Sequence, residues 1–200
     1  IEVLLISGFT QLHEPEVRDR VFSDTAQALR QWRAARPGLF IHLELGAMPD
    51  FRHVRQIVEE LHPYVTSVGM NIDELRELLA VDGITMSAPG PELVAQMRDL
   101  AERFPTPRFS VHTREFCLTL TERDADQERD ALIFGSLTAA TRARIAAFPR
   151  QEDLAITLEQ GTINGVGLAL VDELSGVPGV VVTPGIAFTG PTATVGLGDS

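Results

Sequence analysis

The chain has 200 residues, 44% of them hydrophobic and 22% charged, with a formal net charge of −11. That length and apolar content support one compact domain with a sizeable core and exclude a disordered segment. The acidic excess argues against nucleic acid as a partner, which needs a basic stripe to displace counterions, and no apolar run reaches the roughly 18 residues of a membrane span.

All 17 cationic residues are Arg, so no Lys of this chain acts as a phosphate clamp or Schiff base. A phosphorylated ligand must then be held by metal, backbone amides and individual arginines. The single Cys117 leaves no internal disulfide and no cysteine-rich metal site, and reads as a small core residue. The opening Ile1 to Ile6 is too short and too acidic for a signal peptide, so the expectation is a cytoplasmic protein.

The chain opens on a strand, Val3 to Ile6, broken at Ser7-Gly8. The spacing of Val17, Val21, Phe22, Ala26, Leu29 and Trp32 predicts an amphipathic helix from Glu14 to Arg36, ended by Pro37-Gly38. A strand over Leu39 to Leu45 and a helix over Asp50 to Leu61 follow. Tyr64 to Val68 predicts a third strand, Asn71 to Leu79 a helix, and Pro91 to Phe104 another. Two strands, Phe109 to Thr113 and Phe116 to Leu120, lead into Thr121 to Asp130, which is charged and aperiodic and reads as an exposed loop. Leu137 to Phe148 is helical, Ala155 to Glu159 extended, Gly165 to Leu174 helical, and Val180 to Thr183 a closing strand. Strands alternating with helices imply βαβ units and a mostly parallel sheet flanked by helices, in a single α/β domain over residues 1–200.

Such sheets bind ligands at the carboxyl ends of their strands. There the chain places Ser7-Gly8, then His42-Leu43-Glu44, then Gly69-Met70-Asn71-Ile72-Asp73-Glu74, and finally Gly196-Leu197-Gly198-Asp199. His42 and Glu44 are two apart on a strand and share a face. Asn71 and Glu74 are three apart and meet at a helix start, where they form either a capping box or part of a carboxylate site for Mg²⁺. His42 reads as a ligand-orienting or a core histidine, and Glu44 as a site carboxylate or a solvated strand end. Gly-x-Gly-Asp reads as an acidic turn, or as a phosphate cradle in which backbone N–H groups surround an oxyanion while Asp199 takes a proton.

Taken together, His42-x-Glu44, Asn71-x-x-Glu74 and Thr194-Val195-Gly196-Leu197-Gly198-Asp199 resemble the motifs of the ADP-dependent glucokinases and phosphofructokinases of the ribokinase-like superfamily. Ser7-Gly8, His112-Thr113 and Val181-Val182-Thr183-Pro184 look like strand ends of the same family. The resemblance covers nearly the whole chain. It implies a ribokinase-like, Rossmann-like fold and transfer of the β-phosphoryl group of ADP to glucose or fructose 6-phosphate, with release of AMP. It further implies Asp199 as general base, with Gly196 and Gly198 shaping the anion hole. Glu74 and Asn71 would serve Mg²⁺, with Glu44 and His42 tuning and orienting that site, and His112, Val182 and Pro184 would lie near the nucleotide. Family members are about twice as long, which implies that the lid domain and N-terminal part are absent here. The chain would then be the nucleotide-binding and catalytic portion of a longer kinase. An ATP-using ribokinase-like kinase and a non-catalytic nucleotide-binding domain remain the alternatives; His42-x-Glu44 favours the ADP branch.

Overall fold

The computed structural model describes residues 2–9, 12, 14–46 and 50–188. Its centre is a six-stranded sheet in the order β1 (Val3–Ile6), β2 (Phe40–Glu44), β3 (Ser67–Asn71), β4 (Arg108–His112), β5 (Phe116–Thr121), β7 (Val180–Pro184). The first four strands are parallel neighbours, and β5 runs antiparallel to both β4 and β7. A two-stranded antiparallel ribbon of β6 (Thr162–Ile163) and β8 (Ile186–Ala187) stands beside the sheet.

From β1 to β4 every connection steps the same way across the sheet. Because crossovers are right-handed, the intervening helices must all fall on one face. α1 (Pro15–Ala35), α2 (Phe51–Leu61), α3 (Ile72–Ala80) and α4 (Pro91–Arg103) do so, joined by α7 (Gly165–Glu173) over β7. The main core lies between those helices and the sheet, a single cluster that holds Phe22 and Leu29 of α1, Ile41 and Leu43 of β2, Leu170 of α7, Leu174, and Phe116, Leu118 and Leu120 of β5. On the opposite face α5 (Ala125–Ile145) covers β5 and β7, backed by α6 (Gln151–Gln160). Val3 and Leu5 of β1, 61% and 63% exposed, leave that face open at the β1 side.

Helix starts follow their capping chemistry. Asp50 accepts from the Arg52 N–H at the start of α2, and Asp124 accepts from the Asp126 and Gln127 N–H groups at the start of α5. Each satisfies backbone donors that a helix start leaves unpaired. Cys117 sits on β5 with its Sγ 3.7 Å from Ser136 Oγ, and burial pushes its thiol above the ordinary range. That environment suits packing more than nucleophilic attack.

Three expectations are corrected. The third strand begins at Ser67, not Tyr64, because Pro63 sits in a single 3₁₀ turn over His62–Tyr64. Thr121 to Asp130 is not a loop throughout: α5 starts at Ala125, and its first turns carry charge because they lie over polar strand residues, with Glu128 buried and Leu132 among its few apolar anchors. Ala155 to Glu159 is helical, since its apparent alternation comes from a buried Thr157 between exposed Ile156 and Leu158. Among the described residues, no helix is long and apolar enough to cross a membrane.

Candidate active site

Strand register decides which predicted residues meet. Glu44 lies opposite Gly69, and Asn71 opposite His112. Paired residues project to the same side, so His42, Glu44, Asn71 and His112 share the sheet face away from the main core, at the carboxyl ends of β2, β3 and β4. His42 Nε2 lies 3.0 Å from Glu44 Oε2, and His112 Nε2 lies 3.7 Å from Glu44 Oε1, too long for a hydrogen bond. Glu44 therefore stands between two imidazoles, its side chain 31% exposed.

Glu74 joins them from the first turn of α3 and is 4% exposed. The capping box predicted at this helix start is made in full. Asn71 Oδ1 accepts from the Asp73 and Glu74 N–H groups, both at 2.9 Å, and Glu74 Oε2 accepts from the Asn71 N–H at 2.9 Å. Asn71 Nδ2 adds a bond to Glu74 Oε1 at 3.1 Å. Capping does not exhaust the group's chemistry, because burial pushes the Glu74 carboxyl from 4.5 up to about 7. The Asn71 N–H opposes that shift, while the negative charges of Glu44, Glu77 and Asp73 add to it.

Burial first, and the neighbouring Glu44 charge after it, oppose the negative charge on Glu74, which a cation bound there would relieve. Among the described residues, no three His, Cys, Asp or Glu side chains converge as a direct metal cage. The donor set present fits a hard ion that keeps most of its waters, as Mg²⁺ does.

Gly69, which the sequence places in the third strand-end set without a role, takes its role from strand pairing. It sits inside β3 beneath the His42 and Glu44 side chains. A Cβ there would stand 2.6 Å from His42 Cε1 and 2.8 Å from Nε2, and closer still to Glu44 Oε2. An interior strand glycine that packs nothing of its own signals such a close approach.

Val182 and Pro184 are not brought to this face. Register alternation turns them toward α7, where Val182 packs on the main core. A Cβ on Gly167, in the first turn of α7, would meet Pro184 Cα at 2.8 Å, so that helix start presses directly on the β7 end. Asp199, Gly198 and Gly196 lie outside the described residues. A groove of about 830 Å³ on the open face includes His42 but extends toward the amino ends of the strands, past Phe40, Arg33 and Arg123. It is therefore distinct from the carboxyl edge where the candidate residues gather.

Comparison with known proteins agrees with the fold. A family model described as the ADP-specific phosphofructokinase/glucokinase conserved region matches residues 1–200. The chain belongs to the ADP-specific phosphofructokinase/glucokinase family. An ADP-dependent glucose/glucosamine kinase of Pyrococcus furiosus is 27% identical over 188 residues, covering 80% of this chain and 39% of that relative. An ADP-specific phosphofructokinase of the same organism is 25% identical over 178 residues, with coverage of 80% and 39%. In fold, an ADP-dependent kinase solved in complex with fructose-6-phosphate and ADPbetaS superposes with a TM-score of 0.81 at 18% identity, over 99% of this chain and 51% of that one. The chain thus spans about two-fifths of the length of these curated relatives and half of the solved kinase. Within this family the chain is similar to a glucose/glucosamine kinase and to a phosphofructokinase at nearly equal identity, 27% and 25%.

Proposed function

We propose that the full-length protein transfers the β-phosphoryl group of ADP to a hydroxyl of glucose or fructose 6-phosphate and releases AMP. The observation that carries this reading is the gathering of His42, Glu44, Asn71, Glu74 and His112 at the carboxyl edge of adjacent parallel strands, where α/β sheets bind ligands.

In the proposed reaction the acceptor hydroxyl oxygen forms a bond to the β-phosphorus as the bond between the β-phosphorus and the bridging oxygen breaks, and that oxygen leaves with AMP. The hydroxyl proton passes to the Asp199 carboxylate. Backbone N–H groups around Gly196 and Gly198 hold the transferring oxyanion; their lack of a Cβ lets the chain approach it. These roles rest on the Thr194 to Asp199 motif. Glu74 and Glu44 would hold Mg²⁺ through its waters, with Asn71 fixing Glu74 and His42 fixing Glu44. When bound, Mg²⁺ supplies neutralisation of the phosphate charge. His112 would face the nucleotide from the polar side of the sheet, and Val182 and Pro184 would support it from the α7 side. The two curated relatives described above are named for ADP, which favours ADP over ATP as donor.

The test is turnover of the full-length protein with ADP or ATP, each paired with glucose or fructose 6-phosphate. The expected result is AMP and a sugar phosphate from ADP only, with one acceptor preferred. Turnover from ATP alone would move the protein to the ATP-using ribokinase-like reading. Calorimetric ADP binding with no turnover would reduce it to a nucleotide-binding domain.

A further inference from the structure

Beneath the Glu44–His42 pair runs a chain of polar side chains that the motifs do not mention. His42 Nδ1 is 2.8 Å from Ser67 Oγ, and Arg108 Nη1 donates to the same Ser67 Oγ at 2.8 Å. Behind it, Arg108 Nε and Nη2 both meet Glu128 Oε1 at 2.8 Å. Ser67 is fully buried and Glu128 is 7% exposed. The series therefore links the first turns of α5 to the candidate site through β4, β3 and β2.

Its two ends have fixed polarity. A guanidinium only donates, and an ionised carboxylate only accepts. Glu44 Oε2 therefore requires a proton on His42 Nε2, which in a neutral ring makes Nδ1 the acceptor. Ser67 Oγ then accepts a hydrogen bond from Arg108, and its own O–H donates to Nδ1. Every bond in the series donates in the same direction, from Arg108 through Ser67 and His42 to Glu44. With Ser67 Oγ already accepting from Arg108, a proton on Nδ1 would leave the serine hydroxyl with no acceptor among its hydrogen-bond partners here.

We propose that Arg108 and Ser67 are positioning residues that fix the His42 ring with its Nε2–H on Glu44, so that the second Glu44 oxygen is held toward His112 and the carboxyl edge. Its catalytic consequence rests on the phosphotransferase reading above, but the arrangement itself does not. Gly69 makes room for the pair, Glu128 anchors the guanidinium, and Ser67 passes the orientation on. Orientation of this kind matters because a carboxylate that organises ligands or waters acts only in the geometry its outer partners hold.

The test is a long-range ¹H–¹⁵N spectrum of histidine-labelled, metal-free full-length protein, with the His42 resonances identified by their loss in His42→Gln. The expected wild-type pattern is a single tautomer protonated at Nε2. Ser67→Ala removes the relay while sparing the Arg108–Glu128 pair, so the variant should fold and show both tautomers. In the active protein it should lower kcat about tenfold with the ADP KM nearly unchanged, the scale of one lost hydrogen bond. Arg108→Met combined with Glu128→Gln, which removes both charges together, should also mix the tautomers. A wild-type ring protonated at Nδ1 alone, or a Ser67→Ala spectrum identical to wild type, would overturn the proposal. If the full-length protein proved inactive with every donor and acceptor, the proposed function would fail while the tautomer spectrum still decided the positioning claim.

Discussion

Glu74→Gln in the full-length protein separates the two things this buried carboxyl does, because capping and charge respond differently to pH. In the folded chain the Glu74 carboxyl titrates near 7, against 4.5 in its ordinary state. Between those values the folded protein binds more protons than the unfolded one, so stability falls as pH rises. The contribution of the neutral group is fully present below 4.5 and is lost as pH climbs to about 7. At 1.36 kcal/mol per pH unit that loss is at most about 3 kcal/mol, and about half of it after solvent and counterion screening. Gln cannot ionise, so its share of the pH slope vanishes. One amide oxygen cannot replace both carboxylate oxygens, however: Glu74 accepts from the Asn71 N–H and from Asn71 Nδ2. The variant therefore loses one hydrogen bond, about 1 kcal/mol. The expectation is a crossing pair of curves, with Glu74→Gln less stable by about 1 kcal/mol near pH 5 and equal or more stable near pH 8. Urea unfolding of both proteins at several pH values without Mg²⁺ measures the difference, in which the general effect of the acidic surface cancels. A flat difference between pH 5 and pH 8 would refute the electrostatic argument for Glu74.

Three further outcomes follow from the same geometry. Glu74→Gln should raise the Mg²⁺ concentration needed for half-maximal activity, read by titrating Mg²⁺ into wild type and variant; superimposable titrations would leave Glu74 with its capping role alone. Gly69→Ala should fold with a loss of about 1–2 kcal/mol by urea unfolding, because the atoms it strikes are side-chain ends that can swing away. The same change should abolish the His42–Glu44 contact and cut turnover, and unchanged activity would remove Gly69 from the site. Asp124→Ala should cost about 1 kcal/mol through the lost cap of α5, measured by the same unfolding, and a change within error would mean that other groups satisfy those N–H donors.

The parts legible in the sequence were those where local pattern and tertiary environment agree. The helices α1, α2, α4 and α7 carry apolar residues at helical spacing because each faces the main core, and the alternation of Phe40 to Glu44 marks a strand buried on one side only. The start of α5 was illegible because that helix covers polar strand residues, so charge there marks an inward contact between Glu128 and Arg108 instead of a solvated loop. His42, Glu44, Asn71 and Glu74 were visible as spaced pairs at strand ends. Ser67 and Arg108 were not, and Gly69 was visible only as a member of a strand-end set, since the importance of all three comes from strand register, which only the paired sheet supplies. Val182 and Pro184 show the converse: their position at a strand end was readable, but the face they project from depends on pairing with an antiparallel β5.

The proposed phosphoryl transfer relies on Asp199 as its base. The most direct measurement is single-turnover phosphorylation of the preferred sugar by wild type and Asp199→Asn, with ADP affinity measured on both. The amide keeps the shape of the side chain but does not take the hydroxyl proton. The expected result is ADP binding within a few-fold of wild type and a rate lower by about 10²- to 10⁴-fold, the usual scale of general-base catalysis. A variant that binds ADP and phosphorylates the sugar at near the wild-type rate would contradict it.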